Sequence, residues 1–211
     1  MQLDKERLIH LIRCEICGEK PDPDLYSLSK NEWSSVLAIA RKHHLAHLVA
    51  DAALKNGFVK DDALEAEFKR NKYYAIMHNV RLSVCLQKLR EVFAKSNIPF
   101  LLLKGSVIRS YYPEEWMRTS SDIDVLIPGR SYEDAKKLLE SDSSFRYTNT
   151  TPHDLSFRMA EGIRLELHHS LIESNRIGKA EALLEEIWDY AVKTGQLEYA
   201  LKDEMFYYYH L

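Results

Sequence analysis

Apolar positions recur at helical spacing through roughly the first hundred residues. The opening MQLDKERLIHLIRC interleaves charged and apolar residues with that period and reads as an amphipathic helix. Ser29, followed three residues later by Glu32, has the form of a capping box, and Trp33, Val36, Leu37 and Ala40 then fall on one face. With Asn56-Gly57 as a stop signal, this predicts a helix over about 30–56. A second long helix is expected from about 61 to 96, its stripe made by Leu82, Cys85, Leu86, Leu89, Val92 and Phe93. Asn97-Ile98-Pro99 ends it.

From Phe100 the pattern changes to short apolar runs separated by turns and short helical stretches. Strands are expected at 99–103, 121–127, 145–150, 154–160 and 163–169, with helices at 105–112 and 132–140. Ser131 to Asp134 reads as the cap of the second of these helices, and Glu161-Gly162 as the turn of a hairpin. This alternation implies an α+β fold with a short mixed sheet, preceded by an all-helical region and followed by C-terminal helices. The expected organisation is a helical region at 1–97, a core at 98–175 and a helical segment at 176–211. The chain stops at DEMFYYYHL inside an apparent amphipathic helix. A natural end there leaves the last carbonyls uncapped, so a truncated C-terminal part is expected.

The 211 residues carry 29 Lys+Arg against 32 Asp+Glu, a formal charge of −3. That is not the basic field a long polynucleotide partner requires. No apolar run approaches the ~20 residues of a membrane span, and the N-terminus is not a signal peptide. Three cysteines, Cys14, Cys17 and Cys85, are too few for a disulfide framework. A cytoplasmic protein with no membrane partner is expected.

The candidate chemistry lies in LLLKGSVIRSYYPEEWMRTSSDIDVLI, residues 101–127. In a strand, Asp122 and Asp124 share a face while Ile123, Val125 and Ile127 share the other, and the two acids stand roughly 6.5–7 Å apart along it. Side by side and partly desolvated, they repel each other unless a cation intervenes. Mg²⁺ (or Mn²⁺) with phosphate oxygens suits such ligands, and a pair of ions ~3.5–4 Å apart can hold the attacking and leaving oxygens of a nucleotidyl transfer. A third carboxylate is available in IRLELHHSL, where Glu166 alternates with Ile163, Leu165 and Leu167. Gly105-Ser106, opening a helix, offers backbone N–H groups and a hydroxyl to phosphates.

Lys104-Gly105-Ser106, Asp122-Ile-Asp124 and the later Glu166 resemble the motifs of the nucleotidyltransferase superfamily that includes DNA polymerase beta and the aminoglycoside nucleotidyltransferases. With HDLSF and GIRLELHHSL added, the pattern is similar to the bacterial group called uncharacterised nucleotidyltransferases, over about residues 98–172. The resemblance implies a polymerase-beta-like core and transfer of a nucleoside monophosphate from an NTP to a hydroxyl, with release of pyrophosphate. It makes Asp122, Asp124 and Glu166 the catalytic, metal-ligating acids and puts Gly105 and Ser106 on the β- and γ-phosphates. Lys104, Arg118, Ser121, His153 and His168 are the further candidates for nucleotide contact. The acceptor is left open among a small molecule, a protein side chain and an RNA end. Two departures stand out: fifteen residues separate Ser106 from Asp122, more than the usual spacer, and His169 occupies a position where the close group commonly has Trp.

The remaining signals have plainer readings. Cys14-Glu-Ile-Cys17 has the spacing of half a zinc site, but no second pair follows and Cys85 is remote. His43 and His47, one turn apart and lacking a third ligand, are expected on a helix surface. Tyr207-Tyr208-Tyr209 is expected to pack a helix. The alternative to an enzyme is a non-catalytic nucleotide-binding or interaction module on the same fold.

Overall fold

A computed structural model describes residues 2–152, 154–171, 186–202 and 205. The chain divides into two units, one formed by Met1–Asn79 with Tyr112–Met117, the other by Val80–Tyr111 with Arg118–Leu211.

The first unit is helical. It contains α1 (Gln2–Cys17), α2 (Lys30–Lys42), α3 (Ala46–Lys55) and the N-terminal part of α4 (Asp62–Lys95). Trp33, Val36, Leu37 and Ala40 of α2 pack with Leu8, Leu11, Val49, Ala53 and Phe68 in one apolar core. The capping box is present: the Ser29 hydroxyl accepts from the Glu32 N–H, and the Glu32 carboxylate accepts from the Ser29 N–H at 2.9 Å. The single helix expected over 30–56 is two. His44 adopts φ 58°, a left-handed turn that breaks the ladder between α2 and α3. His43 remains on the surface, but His47, expected there too, is buried. Its Nε2 donates to the Met117 carbonyl at 2.9 Å, and its ring meets Trp116 edge-on. Burial dominates its titration and, against the pull of the Met117 carbonyl and Asp51, holds its pKa below the ordinary value.

The second unit carries a seven-stranded mixed sheet in the order β3-β4-β5-β2-β1-β7-β6. Its strands are β1 (Phe100–Leu102), β2 (Asp122–Leu126), β3 (Phe145–Thr150), β4 (Asp154–Met159), β5 (Arg164–His168), β6 (Ala191–Lys193) and β7 (Glu198–Leu201). Among the described residues, the short α5 (Gly105–Ile108) and α6 (Gly129–Ser141) join successive strands. The β2–β5 and β1–β7 pairings are parallel, the others antiparallel. The α+β expectation therefore holds. Gly162, at φ 83°, makes the turn between β4 and β5, a conformation that costs glycine little.

One face of the sheet is apolar. Ile123, Val125, Leu155, Phe157, Leu165 and Leu167 lie in one cluster with Leu82, Leu86, Leu89 and Phe93 of α4 and Ala135 and Leu139 of α6. This is the period-two alternation of a strand buried on one side. A smaller cluster joins Leu101, Leu103 and Leu126 to Ile187, Leu201 and Met205.

Three expectations are corrected. Helix α6 starts at Gly129 with Pro128 at its N-cap and no side-chain cap, so Ser131 lies inside the first turn. The helix expected over 105–112 is the four-residue α5 followed by a 3₁₀ turn at Arg109–Tyr111. Within 186–202, expected to be helical, the chain forms a 3₁₀ turn at Ile187–Tyr190 and then the β6–β7 hairpin, whose β7 lies parallel to β1. The Tyr207-Tyr208-Tyr209 reading falls outside the described residues. No helix among the described residues is long and apolar enough to cross a membrane.

Candidate functional site

The acids of β2 and the polar positions of β5 are brought together by strand register. In the parallel β2–β5 pair, Asp122 stands opposite Arg164, Asp124 opposite Glu166 and Leu126 opposite His168. On the other side of β5, Ser156 stands opposite Glu166 and Asp154 opposite His168. Because β2 and β5 bury their odd-numbered side chains in the apolar core, the even-numbered polar ones share the opposite face.

Asp124, Glu166 and His168 converge: one ligand atom from each lies within 4.8 Å of the others. His168 Nε2 is 3.3 Å from Asp124 Oδ1 and 3.6 Å from Glu166 Oε2. The Arg164 guanidinium holds Glu166 Oε1 at 2.7 Å and donates to Ser156 Oγ at 3.2 Å, and Ser156 is buried. Asp122, one strand step away, is not in the three-residue group. Its Oδ2 accepts from Ser121 Oγ at 3.2 Å.

The two central carboxyls have moved apart in acidity. Desolvation works to raise Asp124, but the His168 contact, the hydrogen bond with Glu166 and the charge of Lys104 outweigh it and leave Asp124 below its ordinary value. Glu166 goes the other way, raised by burial and by the Asp124 charge against Arg164 and His168. Two carboxylate groups and an imidazole are hard and borderline donors that suit a divalent cation, so the residues present fit the metal that the sequence motif implies.

The upstream half of the motif is set by a tight turn. Lys104 has φ 35° and ψ −108°, a backbone region that costs a non-glycine residue of order 1–3 kcal/mol. It turns the chain out of β1 into α5. A Cβ on Gly105 would stand 2.7 Å from Ser120 Cβ, so only glycine lets the loop before β2 approach this closely. The Ser120 hydroxyl in turn donates to the Asp122 carbonyl at 3.4 Å. Gly105 is thereby tied to the start of the acidic strand through packing. The Arg118 guanidinium donates to the adjacent Thr119 carbonyl. His153 lies outside the described residues. His169 faces away from the acids in its contacts, its Nε2 donating to the Pro152 carbonyl at 3.0 Å and its ring meeting Tyr132 edge-on.

Sequence reasoning did not single out Arg164, Ser156 or Asp154. The alternation in HDLSF and in IRLELHH was the available signal, since it places Asp154 and Ser156, and Arg164 with Glu166, on the polar sides of adjacent strands.

Partial likenesses to two solved structures exist. One is the solution structure of the antibiotic-resistance factor ANT(2'')-Ia, at 15% identity and a TM-score of 0.36, covering 47% of this chain and 51% of that one. The other is the crystal structure of ANT(2'')-Ia in complex with adenylyl-2''-tobramycin, at 16% identity and a TM-score of 0.39, covering 59% of this chain and 74% of that one. The present chain thus spans about half the length of the first. No curated protein sequence matches it. The motif order read from the sequence and the family match agree, and the match takes in both halves of the acidic site and much of the helical unit. Over residues 29–211 the chain belongs to the family of uncharacterised nucleotidyltransferases.

Proposed function

We propose that the protein is a divalent-metal-dependent nucleotidyltransferase that moves a nucleoside monophosphate from an NTP to an acceptor hydroxyl and releases pyrophosphate. The observation that carries this reading is the convergence of Asp124, Glu166 and His168 on one face of the β2–β5 pair, in a chain of a nucleotidyltransferase family.

Asp124 and Glu166 would hold the cation, and Asp122 would join them by giving up its bond to Ser121. A bound cation supplies Lewis-acid neutralisation of phosphate charge. Glu166 would complete that site and so favour deprotonation of an acceptor hydroxyl. Arg164, half exposed beside Glu166, would turn from that carboxylate to a phosphate oxygen. Gly105 and Ser106 are assigned to the β- and γ-phosphates, with Lys104, Arg118, Ser121 and His153 as further nucleotide contacts, and the strained turn at Lys104 supports a functional role there. The acceptor belongs to one of three classes: a small molecule, a protein side chain or an RNA end.

The test is to incubate the protein with α-labelled NTPs, Mg²⁺ or Mn²⁺, and fractionated cell extract, following pyrophosphate and label together. Label on an acceptor with matching pyrophosphate supports the transferase. NTP binding without pyrophosphate moves the reading to a nucleotide-binding module, and absence of NTP binding removes both.

A further inference from the structure

Two carboxylates and one imidazole are an uncommon set for a Mg²⁺ site. Mg²⁺ takes oxygen ligands almost exclusively, whereas imidazole nitrogen favours first-row transition ions. His168 Nε2 lies 3.3 Å from Asp124 Oδ1 and 3.6 Å from Glu166 Oε2, and the three ligand atoms fit within 4.8 Å of one another. Around an octahedral ion with bonds of about 2.1 Å, neighbouring ligand atoms lie about 3.0 Å apart and opposite ones about 4.2 Å. His168 Nε2 therefore stands only about 0.3–0.6 Å farther from the two carboxylate oxygens than neighbouring ligands on one ion do.

Position in the sheet makes this set durable. Asp124 and Glu166 are register partners, and His168 follows Glu166 by two residues on the same strand face. All three project from paired strands whose other face is locked in the apolar core. Asp122 has a different neighbour, Ser121, and lies outside the group. The set nearest completion is therefore Asp124–Glu166–His168, with one nitrogen, and not the three carboxylates that the motif alone suggests.

We propose that His168 is a direct nitrogen ligand of the cation and that this site selects a first-row transition dication, with Mn²⁺ as its simplest probe, over Mg²⁺. This rests on the metal-dependent reading above and specifies its ion. With Asp122 joining Asp124, Glu166 and His168, four protein ligands leave about two octahedral positions for water or phosphate oxygens.

The experiment is titration of the full chain with MnCl₂ and, separately, with MgCl₂ by calorimetry, together with electron-spin-echo measurement on the Mn²⁺ form. The expected results are Mn²⁺ binding at least about tenfold tighter than Mg²⁺ and modulation from a directly bound ¹⁴N. In His168→Gln the nitrogen signal should vanish and the Mn²⁺/Mg²⁺ ratio should fall by about fivefold or more, while His169→Gln should retain both. A wild-type Mn²⁺ form without coordinated nitrogen, or an unchanged ratio in His168→Gln, overturns the inference. The nitrogen signal of the wild type decides the matter even if the variant does not fold. Mn²⁺ binding that is lost in Asp124→Asn but indifferent to His168→Gln would leave the metal-dependent reading standing and remove only the nitrogen ligand. No binding of either ion removes both.

Discussion

Among the described residues, two carboxyl pairs, Asp51 with Glu15 and the half-buried Asp124 with Glu166, differ in where their counter-charge comes from. In the helical unit, Asp51, which is 0% exposed, and its neighbour Glu15 are closed by lysines. Lys55 Nζ lies 2.8 Å from Asp51 and 2.5 Å from Glu15, and Lys72 pairs with Asp51 while its ammonium sits over the Trp116 ring. In the sheet unit, Asp124 and Glu166 meet a histidine and the half-exposed Arg164. The acidities split in the same sense in both: burial raises Glu15 and Glu166, while hydrogen bonds and nearby charge overcome burial to lower Asp51 and Asp124. Perturbed acidity therefore does not separate a structural pair from a functional one. The counter-charge does: one pair is matched by two lysines and the other by a histidine and an arginine, and on the function proposed above the second also keeps carboxylate oxygens for a cation.

The largest effects should separate the two pairs completely. Asp124→Asn is expected to abolish cation binding and lower transfer by more than the ~10–100-fold seen when only a partner of a metal ligand is lost. Its thermal midpoint should stay near that of the wild type, because removing the Asp124 charge relieves its repulsion with Glu166. Undiminished cation affinity by calorimetry would break the assignment. Asp51→Ala should do the reverse, leaving cation affinity intact while costing about 2–4 kcal/mol in denaturant titration. Breaking a buried pair costs roughly 3–5 kcal/mol, and the partly exposed lysines recover some of that in water.

Gly105→Ala sharpens the comparison at the sheet. The added methyl meets Ser120 at 2.7 Å, so the loop before Asp122 must move, at about 1–3 kcal/mol. Ser120→Gly in the same chain should recover most of that cost, and a double-mutant cycle that is additive would show the contact to be unimportant.

The smallest effect belongs to His47. Its folded pKa lies below the unfolded value of about 6.5. Below that value the unfolded chain takes up a proton that the fold refuses, so stability should decline as pH falls from about 6.5 toward the depressed folded value and be fully present above it. In His47→Gln this part of the pH dependence should flatten. A wild-type profile level across that window would show that the histidine does not contribute.

Where a side chain repeats with a strict period, its place was legible from sequence. The α4 stripe, the hairpin at Gly162 and the alternation of Asp122 and Asp124 with Ile123 and Val125 all follow from local spacing. So did the presence of Glu166 beside Asp124, because both lie on polar faces of strands that the motif order suggested were neighbours. The exact register was not legible. It decides that Asp124, and not Asp122, faces Glu166, and a shift of two residues would reverse that while preserving every apolar contact pattern. Arg164 was missed for the same reason, since its partner is defined across strands. His47 was misplaced because its acceptor, the Met117 carbonyl, is seventy residues distant, and nothing in the local spacing marks it. The β6–β7 hairpin was read as helix because a short strand paired in parallel with β1 is stabilised by a distant partner and not by its own composition.

The long spacer between Ser106 and Asp122 has a further consequence. Its middle, Tyr112–Met117, belongs to the helical unit, where Trp116 lies under Lys72 and Met117 receives the His47 hydrogen bond. The helical unit is therefore discontinuous in sequence. Severing the peptide at residue 97 would leave its N-terminal piece without an indole for Lys72 and without an acceptor for His47. The same six residues would become an unfilled loop in the excised sheet fragment, ending one residue before Arg118 and five before Asp122. Modular dissection of this chain thus has to carry Tyr112–Met117 with both parts, and gene fusions or truncations that treat the helices as a detachable prefix will expose apolar surface beside the acidic strand.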